Sequence, residues 1–145
     1  MFSNPSPETI AGILRDARTV AVVGLSPKPG RDSHHVATDL QGFGYRIVPV
    51  RPMATEILGE KAWPTLSALP PELLAEVDIV DVFRAPEHVD EIVDECLALG
   101  LSGRTLWLQL GVVHEAAAAR AQAAGMRVIM DRCIYVDYLR LVGNN

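Results

Sequence analysis

Cysteine is scarce in this chain: its 145 residues include two, Cys96 and Cys133. Neither belongs to a C-x-x-C pair, so a thiolate metal site and a dithiol redox motif are both excluded. So little cysteine suits a reduced, cytoplasmic protein. Long apolar runs are missing as well. No window approaches the ~18 apolar residues of a membrane span, and Met1-Phe2-Ser3-Asn4-Pro5 has neither the basic segment nor the apolar run of a secretory leader. Basic excess is absent: 13 Lys and Arg against 18 Asp and Glu give a formal charge of −5. Broad binding to nucleic acid or to an anionic membrane surface needs a basic face, and the composition argues against both. A single small anion stays compatible, because a pocket can be locally basic in an acidic protein. There is no repeat, low-complexity segment or linker, and residues 1–145 read as one globular domain with 49% apolar and 21% charged residues.

Short apolar, β-branched runs recur along the chain. Thr19 to Gly24, Tyr45 to Val50, Val77 to Phe83, Thr105 to Leu110 and Arg127 to Met130 read as five strands. Strands apolar on both faces point to a parallel sheet covered by helices. Between them lie segments suited to crossover helices. Ser33 to Phe43 stops at Gly44, Glu87 to Leu99 at Gly100, and Glu115 to Ala124 at Gly125, each glycine fitting a helix C-terminus. A leading helix over Ser6 to Ala17 opens with Ser6-Pro7-Glu8, a favourable cap, first residue and first-turn acid. Prolines 52, 64, 70 and 71 break up the stretch after the second strand, leaving a short extended piece over Ile57 to Trp63 and a short helix over Pro71 to Ala75; a further turn or two of helix is expected over Tyr135 to Leu141. The alternation predicts an α/β fold, a Rossmann-like, doubly wound, mainly parallel five-stranded sheet with helices on both faces.

In such sheets ligands bind beyond the carboxyl ends of the strands, near the switch in strand order. The loop Gly24-Leu25-Ser26-Pro27-Lys28-Pro29-Gly30-Arg31-Asp32-Ser33 follows the first strand. Gly24 frees the backbone to turn, Ser26 and Ser33 offer hydroxyls, Lys28 and Arg31 add positive charge, and the following helix points unpaired N–H groups at the loop. The alternative is a solvated turn with Ser33 as an ordinary cap. The dinucleotide fingerprint G-x-G-x-x-G lacks its second glycine here, and the second strand ends on Arg51 rather than on an acid. Both features disfavour NAD and leave open a nucleotide with an extra phosphate, NADP or coenzyme A.

The runs V-A-V-V-G-L-S-P-K-P-G-R-x-S-H, G-Y-R-I-V-P-V-x-P, V-D-I-V-D-V-F-R, W-x-Q-L-G-V and M-D-R-C follow one another in this order over about Ile10 to Tyr138. Together they resemble the small stand-alone bacterial CoA-binding proteins, whose fold is similar to the CoA-binding domain of the succinyl-CoA synthetase α subunit. The resemblance implies coenzyme A lying across the strand ends. Gly24, Ser26, Lys28, Arg31 and Ser33 match the phosphate loop. Pro49, Val50, Arg51 and Pro52 match the edge of the adenine–ribose site, where the family more often has Asn in place of Arg51. Phe83 and Arg84 match the segment beside the nucleotide and pantetheine, and Gln109, Leu110 and Gly111 the segment near the thiol end. After M-D-R-C the chain departs from the family, with Ile134-Tyr135-Val136 where the family has Pro and then Lys or an acid.

No catalytic constellation and no metal-ligand cluster emerges. Cys133, after the last strand and beside Arg132, is either a packed residue or a stabilised thiolate able to meet the CoA thiol; Cys96 sits in a helical apolar stripe and reads as core. His34 and His35 point about 100° apart on one helix and make no metal pair, with one facing the ligand phosphates and the other solvent. His88 and His114 read as surface or capping residues. Asp78 and Asp81 flank and enter the third strand and are expected to be hydrogen-bonded to a loop or helix terminus rather than to act as an acid–base pair. Four functional readings follow: a non-catalytic CoA or acyl-CoA carrier, sensor or accessory domain; an NADP-binding oxidoreductase-like domain; a CoA-thiol enzyme or redox protein using Cys133; and a scaffold protein with an unoccupied Rossmann fold. The sequence leaves homo-oligomerisation open.

Overall fold

The computed structural model describes residues 2–143. Residues 1, 144 and 145, which belong to the expected domain and, for Met1, to the leader reading, lie outside the described residues. The chain runs α1 (Pro7–Asp16), β1 (Thr19–Val23), α2 (Asp32–Gly42), β2 (Arg46–Val50), a small hairpin of β3 (Glu56–Ile57) and β4 (Glu60–Lys61), then α3 (Pro71–Glu76), β5 (Ile79–Val82), α4 (Val89–Ala98), β6 (Thr105–Leu108), α5 (Glu115–Ala123), β7 (Arg127–Met130) and α6 (Ile134–Asp137). The last helix continues into a π-helical turn over Tyr138–Val142.

Five strands form one parallel sheet in the order β2-β1-β5-β6-β7. The chain leaves β1 for β2 on one side and returns to β5 on the other, so the order reverses beside β1. The two sheet faces alternate residue by residue. Val20, Val22, Ile47, Ile79, Trp107 and Ile129 face α1, α2 and α6, while Ala21, Val23, Val48, Val80, Leu106 and Val128 face α4 and α5. All residues of β1, β5 and β6 are buried, which is why their sequences are apolar apart from Thr19, Asp81 and Thr105 and show no period-two pattern. Burying each Val, Leu or Ile side chain contributes about 1.5–3 kcal/mol. No helix among the described residues is long and apolar enough to cross a membrane.

Local signals act as the sequence predicts. Ser6 Oγ accepts from the Thr9 N–H at 3.2 Å and caps α1, with Pro7 in its first turn. Pro49 sits in a strand because β2 is an edge. Its carbonyl accepts from the Trp63 N–H at 3.0 Å on the outer side, so the N–H that proline lacks would have pointed away from the sheet. The Trp63 carbonyl then accepts from the Arg51 N–H at 2.8 Å, and the proline-rich segment is stitched along the outer edge of β2.

One residue departs from expectation. Asp78 is hydrogen-bonded as anticipated, its Oδ2 accepting from the N–H groups of Arg18 at 2.7 Å and Thr19 at 3.1 Å. Asp81 is fully buried, in register between Val22 and Trp107, and neither carboxyl oxygen has a hydrogen-bond partner. Its register with Val22 and Trp107 puts its side chain on the α1, α2 and α6 face, where it makes no hydrogen bond. Desolvation pushes its carboxyl well above the ordinary aspartate range, so it folds as the neutral acid.

The unfolded chain ionises this group near pH 4 and the folded chain only at higher pH. Stability tied to Asp81 is therefore fully present in acid and is lost as pH rises from about 4 toward the folded-state value. Asp81→Asn has no proton to take up on folding. Its melting temperature is expected to gain on that of the parent steadily between acid and neutral pH. A difference that stays constant with pH in parallel thermal melts would contradict the assignment.

Candidate functional site

The β1, β2 and β5 ends converge on Gly24. The Gly24 N–H donates to the Val50 carbonyl at 2.9 Å, and the Phe83 N–H donates to the Val23 carbonyl at 2.8 Å. Gly24 has φ +89°, and a Cβ there would lie 2.6 Å from the Phe83 carbonyl oxygen and 3.0 Å from Arg84 Cδ. Both the left-handed backbone and the lack of space require glycine. The strand-end loops can therefore pack against one another at the reversal in strand order, the position where parallel sheets bind ligands.

From Gly24 the loop folds on itself. Ser33 Oγ accepts from the Ser26 N–H at 2.9 Å, Ser26 Oγ accepts from the Lys28 N–H at 3.1 Å, and the Arg31 N–H donates to the Lys28 carbonyl at 3.1 Å. Helix α2 starts at Asp32, one residue earlier than the sequence suggests, and its N-cap Arg31 makes no side-chain cap bond. Ser33 is therefore not the cap. It lies in the first turn and uses its hydroxyl to tie the loop down. The first N–H groups of α2 have no intrahelical acceptors and, with the positive end of the helix dipole, favour an anion beside the loop.

Two cavities open here and share Gly24, Arg51 and Phe83. The first, about 580 Å³, is lined also by Ser26, Pro27, Lys28, Gly30, Arg31, Asp32 and Ser33. The second, about 440 Å³, is completed by Pro52, Arg84, Ala85 and His88. Lys28, Arg31, Arg51 and Arg84 thus face one cleft with Asp32 as the carboxylate on its walls, which gives an acidic chain a locally basic pocket. Arg51 is held half-buried, its Nη1 3.5 Å from the Leu25 carbonyl oxygen. Of the residues singled out in the sequence, Gly24, Ser26, Lys28, Arg31, Ser33, Arg51, Phe83 and Arg84 come together in the cleft. Val50 lines a smaller adjoining cavity of about 190 Å³. Pro49, Gln109 and Gly111 line none of these three cavities.

Gln109 and Gly111 take part in a different construction. Buried Gln109 turns its Oε1 inward to accept from the Ile134 N–H at 3.1 Å, at the start of α6. In return Asp131 Oδ1 accepts from the Gly111 N–H at 2.7 Å. The loops after β6 and β7 are thus cross-tied, each side chain holding the other's backbone. Sequence reasoning passed over Ala85 and His88 as cleft residues. Their signal was the proline at 86, which starts a tight turn over Pro86–His88 and keeps His88 close to the end of β5.

The remaining candidates are placed plainly. Cys96 is buried, and desolvation, with Glu95 adding to it, pushes its thiol up to about 12. Half-buried Cys133 follows Arg132, but the Arg132 guanidinium is already engaged by the buried carboxylate of Asp137 at 2.6 and 2.7 Å. Trp107 is core, its Nε1 donating to the Arg132 carbonyl at 2.8 Å. His114 caps α5, its Nδ1 accepting from the Ala117 N–H at 3.1 Å. His35 lies 3.3 Å from Asp39, and neither His34 nor His35 lines the cleft.

A family model described as "CoA binding domain" matches residues 18–138. The chain belongs to this family. It is 41% identical over 137 residues to "Uncharacterized protein YneT" of Bacillus subtilis (strain 168), covering 94% of this chain and 97% of that one. The solved structure of a "hypothetical protein from Pyrococcus horikoshii OT3" superposes with a TM-score of 0.86 at 30% identity, covering 99% of this chain and all of that one. "Acetate--CoA ligase [ADP-forming] II" of Archaeoglobus fulgidus is 32% identical over 98 residues, covering 64% of this chain and 14% of the ligase. The chain therefore corresponds to a small part of the ligase and to nearly the whole of the Bacillus protein.

Two substitutions test the construction of the cleft. Gly24→Ala is expected to cost about 2 kcal/mol or more, from the left-handed backbone and the contact with Phe83 together. Ser33→Ala leaves the buried Ser26 N–H without its acceptor and should cost about 1–2 kcal/mol. Urea denaturation measures both, and a Gly24→Ala variant as stable as the parent would refute the packing described.

Proposed function

We propose that the chain binds coenzyme A or an acyl-CoA in the cleft at the ends of β1, β2 and β5, as a carrier, sensor or accessory domain with no catalytic step of its own. The observation that carries the reading is the convergence of Lys28, Arg31, Arg51 and the α2 N-terminus around one cavity, in a chain of the CoA binding domain family. Ser26, Lys28, Arg31, Ser33 and the first amides of α2 hold the pyrophosphate. Gly24 contributes by having no side chain, letting the ligand approach the strand end. Phe83 offers its ring to the adenine or to the pantetheine arm, and Arg51, which faces both cavities, adds charge between them. Pro49 and Val50 set the course of β2 toward Arg51. Gln109 and Gly111 shape the neighbouring loop from which the thiol end of the ligand is reached.

The polar groups of the cleft are of the kind that hold phosphate, which supports binding rather than chemistry. That Arg132 is engaged by Asp137 supports the same reading, since its charge is then not at hand to stabilise a Cys133 thiolate. Arg51 in place of an acid keeps NADP as the competing ligand.

A ligand that binds only the folded state raises its stability as concentration passes the dissociation constant, by about 2.7 kcal/mol at a hundredfold excess over Kd. Coenzyme A and acetyl-CoA are expected to raise the melting temperature in this way and NAD is not. A shift with NADP and none with any CoA species would overturn the proposal. Lys28→Ala and Arg31→Ala should each weaken CoA binding by roughly tenfold, more at low salt than at high salt.

A further inference from the structure

The two cavities are chemically different. The first has the helix amides, two serine hydroxyls and a tight loop, and suits a group that accepts many short hydrogen bonds from backbone. The second has no helix amide of α2 on its walls. Its charged lining is Arg51, Arg84 and His88, with the ring of Phe83 and the faces of Gly24 and Pro52 between them, and no carboxylate among them. A ligand filling both cavities therefore needs two separate anionic groups, one at each end of the Gly24–Arg51–Phe83 waist.

Arg84 differs from the other half-buried arginines in its lack of partners. Arg51 and Arg104 reach backbone carbonyls and Arg132 pairs with Asp137, whereas Arg84 makes no hydrogen bond or ion pair among the described residues. Arg84 is half-buried, its stem is fixed against Gly24, and among the described residues no carboxylate pairs with it. A half-buried cation without a partner is costly, and the cost is relieved by an anion brought in from solvent. His88 is fixed as well. Its Nδ1 lies 2.8 Å from Glu91 Oε1, which orients the ring and leaves Nε2 outside that contact. Glu91 and Glu95 line the smaller cavity behind Arg84 and His88. Glu91 is occupied by His88, and Glu95 accepts from the N–H and Oγ of Ser67 at 2.9 and 2.7 Å.

We infer that the second cavity is a subsite for a phosphate monoester, held by Arg84 and His88 across from the pyrophosphate loop. The inference rests on the nucleotide reading given above and adds to it the pair of residues that tells a nucleotide carrying an extra ribose phosphate from one that lacks it. Arg84 supplies a planar fork that matches a phosphate, and His88, its ring oriented by Glu91, lines the same cavity as a second polar group. The same chemistry is offered by the 3′-phosphate of coenzyme A and by the 2′-phosphate of NADP, so both pairs of ligands enter the test.

The experiment is calorimetry of the parent chain, Arg84→Gln and His88→Gln with coenzyme A, dephospho-CoA, NADP and NAD. Both side chains lie at the rim, and circular dichroism with thermal melts checks that the variants fold. The parent is expected to prefer coenzyme A to dephospho-CoA by ten- to a hundredfold, roughly the worth of one or two charged hydrogen bonds. Each variant should weaken coenzyme A about tenfold and leave dephospho-CoA within about twofold, so that the ratio collapses. If NADP and NAD show this pattern in place of the CoA pair, the monoester subsite stands and the coenzyme A reading falls. If the folded variants weaken coenzyme A and dephospho-CoA equally, or change neither, the subsite is refuted while the coenzyme A reading survives. A parent chain that binds none of the four overturns both.

Discussion

The approach of the β5 end to Gly24 is the constraint on which the rest of this structure depends. A single added carbon at Gly24 would lie 2.6 Å from the Phe83 carbonyl. Because none is there, the Gly24 N–H reaches Val50 and the Phe83 N–H reaches Val23, and three strands end side by side. The cleft exists because the chain departs from this point in two directions. The loop after β1 goes to α2 on one sheet face, and the turn after β5 goes to α4 on the other. The strand-order reversal makes the space, and glycine keeps it open at its narrowest point.

Electrostatics then decides what the space accepts. The chain as a whole is acidic, yet its carboxylates are spent elsewhere. Glu76, Asp90, Asp94 and Asp137 neutralise arginines, Asp78 caps the start of β1, and Asp81 is buried as the neutral acid. Lys28, Arg31, Arg51 and Arg84, which form no ion pair among the described residues, face the cleft at the strand ends. On the proposed reading, this arrangement lets a protein of net charge −5 hold one small anion in a locally basic cleft.

The strands, their parallel character and the loop between β1 and α2 were legible in the sequence because each depends on local features: largely apolar runs, a glycine at a strand end, and a helix start beyond it. The helix ends were equally legible at Gly44, Gly100 and Gly125, all of which have positive φ. What could not be read was the direction of individual side chains after a strand. Gln109 follows β6 as Arg84 closely follows β5, yet it turns inward to cap α6, and that choice depends on a partner 25 residues away. Asp81 was expected to find a hydrogen bond; which groups lie opposite a strand residue depends on packing from distant helices, and here none offers its carboxyl a donor. His88 entered the cleft through a proline-led turn whose geometry, more than its composition, decides which way the ring faces.

The central claim is that one nucleotide lies across the ends of β1, β2 and β5. Backbone amide chemical shifts, followed by NMR while coenzyme A is added, test it most directly. Perturbations are predicted in Gly24 to Ser33, at Arg51, and in Phe83 to His88, with the amides at the start of α2 among the largest. Perturbations centred instead on the cavity of about 340 Å³ at the opposite end of the sheet, lined by Phe43, Tyr45 and Tyr138, would contradict the account.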